Sequence, residues 1–424
     1  MNFNKTTLPS GLRVLTIPMS GAESVTVTVW ANVGSRYEEE QVAGISHFTE
    51  HIVFKGSKKY PTTKDLSSFV DSFGGEFNAG TTKEWTNFYI KSSKNHLEKA
   101  FDVLSDMILN PLIDKDELEK EKGVILEEKA MYEDTPTSDI GDVFEELIFQ
   151  GNPLGRNIVG TEKAIKNITR NDFIEFRKKY YFPENLLITV AGGVTEKEAI
   201  DLVNKYFINL PENEPKENFP KFVAKQNEPW VKLKYKKIEQ AHLILGFRGF
   251  KLGDQTRFAE NILATILGKG MSSRLFIEVR EKRGLAYSVH TSADHLIDTG
   301  YFSTYVGVDP KNAEEAIKII LEEHYAIKDK VKLIEVSEFQ KAKEYLKGHI
   351  ALSLEDTSAV NQFFGEKELL IESPQTPEEI FESLDKVTID QVYDVAKQIF
   401  LKQNLNLSII GPYNGQDKFK KILV

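Results

Sequence analysis

At 424 residues the chain exceeds one ordinary core, so two or three domains are expected, and its 41% hydrophobic and 28% charged residues suit a soluble globular protein. A formal net charge of −10 argues against nucleic acid or an anionic membrane as partner. The absence of cysteine excludes disulfides, thiolate catalysis and cysteine-bound metal, so any metal must be held by His, Asp or Glu, and there are only eight histidines.

The first residues, MNFNKTTLPSGLRVLTI, have neither the apolar run of a signal peptide nor the composition of a transit peptide. No apolar run reaches the roughly 20 residues of a membrane span. A cytoplasmic protein is expected. A strand is expected at 12–17 (LRVLTI), followed by an alternating one at 24–33 (SVTVTVWANV). GISHFTEHIVFKGS at 44–57 has Ile45, Phe48, Ile52 and Val53 at helical spacing, with Ser46 placed to cap and Gly56 to stop. A second helix is expected over 94–109, where Leu97, Phe101, Leu104 and Ile108 form a stripe, and a long charged one over 114–134 that tolerates Gly123. LLITVAG at 186–192 has the length and composition of a buried strand.

The stretch 211–229 carries Pro211, Pro215, Pro220 and Pro229 among many charges and no periodicity, the composition of an extended linker. Beyond it the order of elements repeats: strands at 231–236 and 240–247, a long charged helix at 333–351, and a buried strand at 405–411. Two tandem homologous domains are therefore expected, 1–210 and 230–424. Each should be an α+β unit with a largely antiparallel or mixed sheet packed under helices on one face.

On the helix at 44–57, His47, Glu50 and His51 fall at i, i+3 and i+4 and share a face. Two imidazoles one turn apart can reach one tetrahedral cation at about 2.0–2.1 Å, and the carboxylate between them can reach a water bound there. This is the H-x-x-E-H motif of the inverzincins. A third ligand is needed to leave one position open. The acids of 114–134 are candidates; Glu121 and Glu128 lie two turns apart on one stripe, with Glu127 about 100° away from Glu128, and spacing does not choose among them.

HFTEH followed after seventy-six residues by Glu128 resembles the zinc site of the pitrilysin, insulysin and mitochondrial processing peptidase family. The resemblance implies one zinc per chain held by His47, His51 and Glu128, with Glu50 as general base and Glu121 supporting the site from behind. GGEFNAGTTKEWTNFY at 74–89 is similar to the family's edge strand, which implies that Asn78 and Ala79 hydrogen-bond the substrate main chain. GKGMSSRLFIEVREKRGLAYSV at 268–289 is similar to a signature of the second domain and implies that Arg280 and Tyr287 act at the active site; Arg283 does not have the spacing. The glycine-rich loop of the family's non-catalytic mitochondrial subunit is reduced to Gly268-Lys269-Gly270. A zinc endopeptidase acting on unfolded peptides is implied, working as a homodimer or as a heterodimer with a homologue. The alternative is a non-enzymatic structural subunit like the core proteins of the mitochondrial ubiquinol–cytochrome c reductase, whose metal motifs are degraded; every motif position is intact here. His96, His242, His290, His295, His324 and His349 lack partners at ligand spacing and are expected to be structural or surface residues.

Overall fold

A computed structural model describes residues 1–211, 213 and 219–423. By contacts it divides into two units, the first made of 1–130, 156–219 and 351–378, the second of 131–155, 220–350 and 379–424. Part of the expected linker, residues 212 and 214–218, lies outside the described residues; 219–229 contains neither helix nor strand. No helix among the described residues is long and apolar enough to cross a membrane.

The first unit is built on a six-stranded sheet of β1 (Asn4–Thr7), β2 (Arg13–Pro18), β3 (Ser24–Ala31), β4 (Glu76–Thr81), β5 (Thr86–Ser93) and β6 (Leu186–Gly192), in the order β1-β2-β6-β3-β5-β4. β2 and β6 are parallel and the other pairs antiparallel. Alternation along β3 turns Val25, Val27 and Val29 into the core shared with three helices: α1 (Ile45–Ile52), α2 (Thr63–Asp71) and α3 (Leu97–Leu109). The expected stripe of α3, Leu97, Phe101, Leu104 and Ile108, is buried there. A fourth helix, α4 (Lys115–Asp134), follows.

The sequence suggests one helix-covered face, but β3 and β6 are buried on both. The second face is covered by a helix from far along the chain, Thr357–Ile371. Thr26 and Thr189, polar positions of that face, meet the covering helix. Asn361 Nδ2 donates to the carbonyls of Thr26 (2.9 Å) and Thr189 (3.1 Å), and Thr357 meets Thr26 through their hydroxyls at 2.9 Å. Gly365 lets the helix approach, since a Cβ there would lie 2.7 Å from the Trp30 ring.

The second unit repeats the plan. β7 (Trp230–Tyr235), β8 (Ala241–Arg248), β9 (Ala286–His295), β10 (Gly300–Val308) and β11 (Asn406–Gly411) form a sheet in the order β7-β11-β8-β10-β9, with β7 and β11 parallel. Position for position this is the first sheet without β1, which establishes the tandem duplication of an α+β domain. Here the covering helix is α5 (Pro136–Ile148), whose Phe144 packs against Tyr301 (5.3 Å between rings) beside Ile244 and Ile410.

His324 lies in the core of this unit. It is fully buried, stacked on Phe400 at 4.7 Å, with Nε2 3.2 Å from the Thr304 hydroxyl. Burial pushes its pKa down to about 3. In the unfolded chain it binds a proton below about pH 6.5, whereas the folded chain does not until about pH 3. His324 therefore costs no stability above pH 6.5 and an increasing amount as pH falls from there towards 3, at about one proton, or roughly 1.4 kcal/mol, per pH unit. His324→Leu should flatten the acid side of a stability-versus-pH curve by that slope; an unchanged slope in denaturant titrations would refute it.

Candidate metal centre

The helix α1 begins at Gly44, not at a Ser46 cap. Ser46 sits inside the first turn, and the helix end is closed from outside by Glu38, whose Oε2 accepts the Gly44 N–H (2.6 Å) and Oε1 the Ser46 N–H (2.8 Å). A carboxylate can serve two free amides and meets the positive end of the helix dipole. Burial pushes the Glu38 pKa up to about 7, against the pull of the two amides. Gly44 takes φ 100°, and a Cβ there would lie 2.3 Å from the Val159 carbonyl oxygen, so no other residue fits the turn. Downstream, Gly56 ends a short 3₁₀ turn, Val53–Lys55, that continues α1.

These constraints set the face that carries the motif. The rings of His47 and His51 are 4.6 Å apart. From α4, Glu128 brings Oε2 to 3.3 Å from His51 Nε2 and 3.6 Å from His47 Nε2. Two donors bound tetrahedrally to one zinc at ordinary Zn–N and Zn–O lengths are about 3.3–3.5 Å apart. These separations suit such an ion, and His47, His51 and Glu128 form the one group of three potential ligands found within 4.8 Å of one another among the described residues. Glu128 Oε2 and His47 Nδ1 are buried without a hydrogen-bond partner. Glu127, the neighbour on α4, is exposed.

Glu121, two turns before Glu128, is nearly buried and bridges two cationic groups. Its Oε1 is 2.9 Å from His51 Nδ1 and its Oε2 is 2.6 Å from Lys55 Nζ. The first contact fixes the ring so that Nε2 faces Glu128. Burial works against ionised Glu121, but His51 and Lys55 outweigh it and hold its pKa below the usual range. The imidazoles of His47 and His51 beside it hold the Glu128 pKa well below that range against its burial. Burial would lower the His51 pKa, yet Glu121 and Glu128 together raise it to about 9. Glu121 and Glu128 are thus both ionised beside the two imidazoles.

Glu50, on the same helix, accepts a 2.6 Å hydrogen bond from the Thr81 hydroxyl through Oε2. Near it lies the buried phenol of Tyr181, which has no hydrogen-bond partner; burial first and the Glu50 charge second raise its pKa. Asn78 and Ala79 lie on β4, the last strand of its sheet, with Asn78 exposed and its Oδ1 accepting the Ala79 N–H at 2.9 Å. Arg280 and Tyr287 belong to the second unit and adjoin each other. Arg280 lies on a π-helical segment, Phe276–Glu281, donates to the Tyr287 carbonyl at 2.8 Å and stacks over the Tyr287 ring at 4.7 Å. Tyr287 is 77% exposed. Arg283 is at the surface, paired with Glu278. Glu38, Lys55 and Thr81 carry no sequence signal of their own. Each acts through a fold contact with the motif region.

A helix bearing two histidines and a carboxylate, with a second helix bringing Glu128 against both histidines, could hold one metal ion, as metallopeptidase sites do. Comparison with known proteins agrees. The insulinase family (peptidase family M16) matches residues 13–162, and the family described as peptidase M16 inactive domain matches 167–346. An uncharacterized zinc protease of Streptomyces coelicolor is 37% identical, covering 96% of this chain and 89% of that protein. The uncharacterized zinc protease YmxG of Bacillus subtilis is 34% identical, covering 96% and 97%. A protease from Helicobacter pylori has the same fold, with a TM-score of 0.91 at 26% identity and coverage of 97% and 99%. A chain of complex III from Candida albicans has a TM-score of 0.85 over 99% of each chain at 20% identity, a likeness of fold alone. The chain belongs to the M16 peptidase family.

Proposed function

We propose that the chain is a zinc endopeptidase that cuts extended, unfolded peptides, with His47, His51 and Glu128 as ligands and Glu50 as general base. Family membership supports the zinc-dependent peptidase. The observation that supports the ligand set is the spacing of the His47 and His51 Nε2 atoms around Glu128 Oε2. A zinc ion bound there would polarise the scissile carbonyl and lower the pKa of its water to about 7. Glu50 accepts the proton of the attacking water and returns it to the leaving amine. Glu121 holds His51 in the tautomer and orientation that present Nε2.

The substrate class follows from β4. As the end strand of its sheet it can accept one more strand, with Asn78 and Ala79 pairing the peptide main chain. Main-chain pairing is tolerant of side chains, which favours oligopeptides of varied sequence over one defined target. Digestion of a library of unstructured peptides should show internal cleavage that a chelator stops and zinc restores. A zinc-loaded chain that cuts none of them contradicts the proposal.

Arg280 and Tyr287 are proposed donors to the oxyanion that develops on the substrate carbonyl. Arg280→Ala and Tyr287→Phe should keep zinc and lower kcat by roughly 10²–10³-fold, the loss of one transition-state donor. An increase in KM with kcat unchanged would assign them to ground-state binding instead.

A further inference from the structure

We propose that Thr81 is a positioning residue for Glu50, tying the general base to the strand that receives the substrate. The inference rests on the reading of Glu50 as base and β4 as the pairing strand. Residues of a strand alternate between faces, so Phe77, Ala79 and Thr81 share one face of β4. Phe77 and Ala79 pack on the apolar core, and Phe77 meets Phe54, two residues past the end of α1, at 5.5 Å. The same face therefore brings the Thr81 hydroxyl to α1, where it donates to Glu50 Oε2 at 2.6 Å.

The donor is held from behind. Thr82 donates its N–H to the Trp85 carbonyl at 2.8 Å and accepts the N–H groups of Glu84 and Trp85 on its own hydroxyl. The Thr82 carbonyl accepts the Ser35 N–H at 3.0 Å, and Gly34 lies so close that a Cβ there would sit 2.3 Å from that oxygen. A buried ion pair between Arg36 and Glu84 closes the same turn. The end of β4 is thus fixed to the body of the unit, and Thr81 passes that fixity to a glutamate that would otherwise sample several rotamers.

A carboxylate that must meet a water proton loses rate when it is free to turn away, because even a 1 Å misplacement can cost about 10²-fold. The hydrogen bond to an ionised carboxylate is also of the stronger, charge-assisted kind. Residues Asn78 and Ala79 lie three and two positions before Thr81 on the same strand, so a peptide paired there stiffens the strand that aims the base.

The test compares Thr81→Val, Thr81→Ala and Thr81→Ser with wild type on one peptide, alongside Glu50→Gln and the Thr81→Val/Glu50→Gln double variant. Thr81→Val and Thr81→Ala should lose about 10–100-fold in kcat with KM within twofold, while Thr81→Ser keeps the hydroxyl and the rate. Removing Thr81 in the Glu50→Gln background should cost nothing further, since it acts through Glu50. Crystals of metal-free Thr81→Val should show the Glu50 carboxylate in more than one rotamer, where wild type shows one. Wild-type kcat in Thr81→Val, a rise confined to KM, or failure of Thr81→Ser to restore the rate overturns the proposal while leaving Glu50 as base. A fully active Glu50→Gln would instead remove the reading on which it rests.

Discussion

Glu50→Gln should bind zinc as wild type does and lose turnover by at least 10²–10⁴-fold, the usual contribution of a positioned general base. Zinc is retained because the three ligand atoms that lie within 4.8 Å of one another come from His47, His51 and Glu128, not from Glu50. Glutamine keeps the shape and accepts the Thr81 hydrogen bond, but it cannot take a proton. The variant should therefore bind peptide with little change in affinity and hold it uncut. Metal content, peptide affinity and single-turnover cleavage measured on one preparation check all three statements. Turnover near wild type would end the assignment of Glu50 as base.

The second large effect is loss of the metal. His47→Ala, His51→Ala and Glu128→Gln should each empty the site and abolish cleavage, because three protein ligands are the least that hold a catalytic zinc. Glu127→Gln should do neither, since Glu127 is exposed and points about 100° round α4 from Glu128. Glu121→Gln should fall between, with metal affinity lowered about 10–100-fold by loss of the group behind His51. Equilibrium dialysis against a zinc buffer separates the three classes. Glu127→Gln emptying the site while Glu128→Gln keeps it would reverse the ligand assignment.

The two sheets were legible because their strands carry the signal that burial imposes. SVTVTVWA alternates and LLITVAG is apolar throughout, and both are strands, β3 and β6. The motif was legible for a related reason: i, i+3 and i+4 on a helix are neighbours whatever the rest of the chain does. The third candidate ligand was not, because α4 carries acids along most of its length and only the fold tells which carboxylate faces α1. The resemblance to a family named Glu128, and the structure brings its carboxylate to both histidines.

What escaped the sequence depends on partners far apart in the chain. Nothing in the sequence of α5 or of the helix Thr357–Ile371 says which sheet it will cover, and each lies in a short segment, 131–155 or 351–378, flanked in the chain on both sides by stretches of the other unit. The burial of the Thr26 face follows from Asn361, more than 300 residues away. Glu38 closes α1 from a loop, where a serine at the right offset offered a simpler local cap. Thr81 reads as an ordinary strand threonine until the fold lays it against Glu50.

The most direct measurement is an anomalous difference map at the zinc edge from a crystal of the zinc-loaded protein. One peak per chain is expected, within ligand distance of His47 Nε2, His51 Nε2 and Glu128 Oε2, with the Glu50 carboxylate beside it and not coordinated. A peak bound elsewhere, or one that takes Glu50 as a ligand in place of Glu128, would contradict the metal centre and the mechanism built on it.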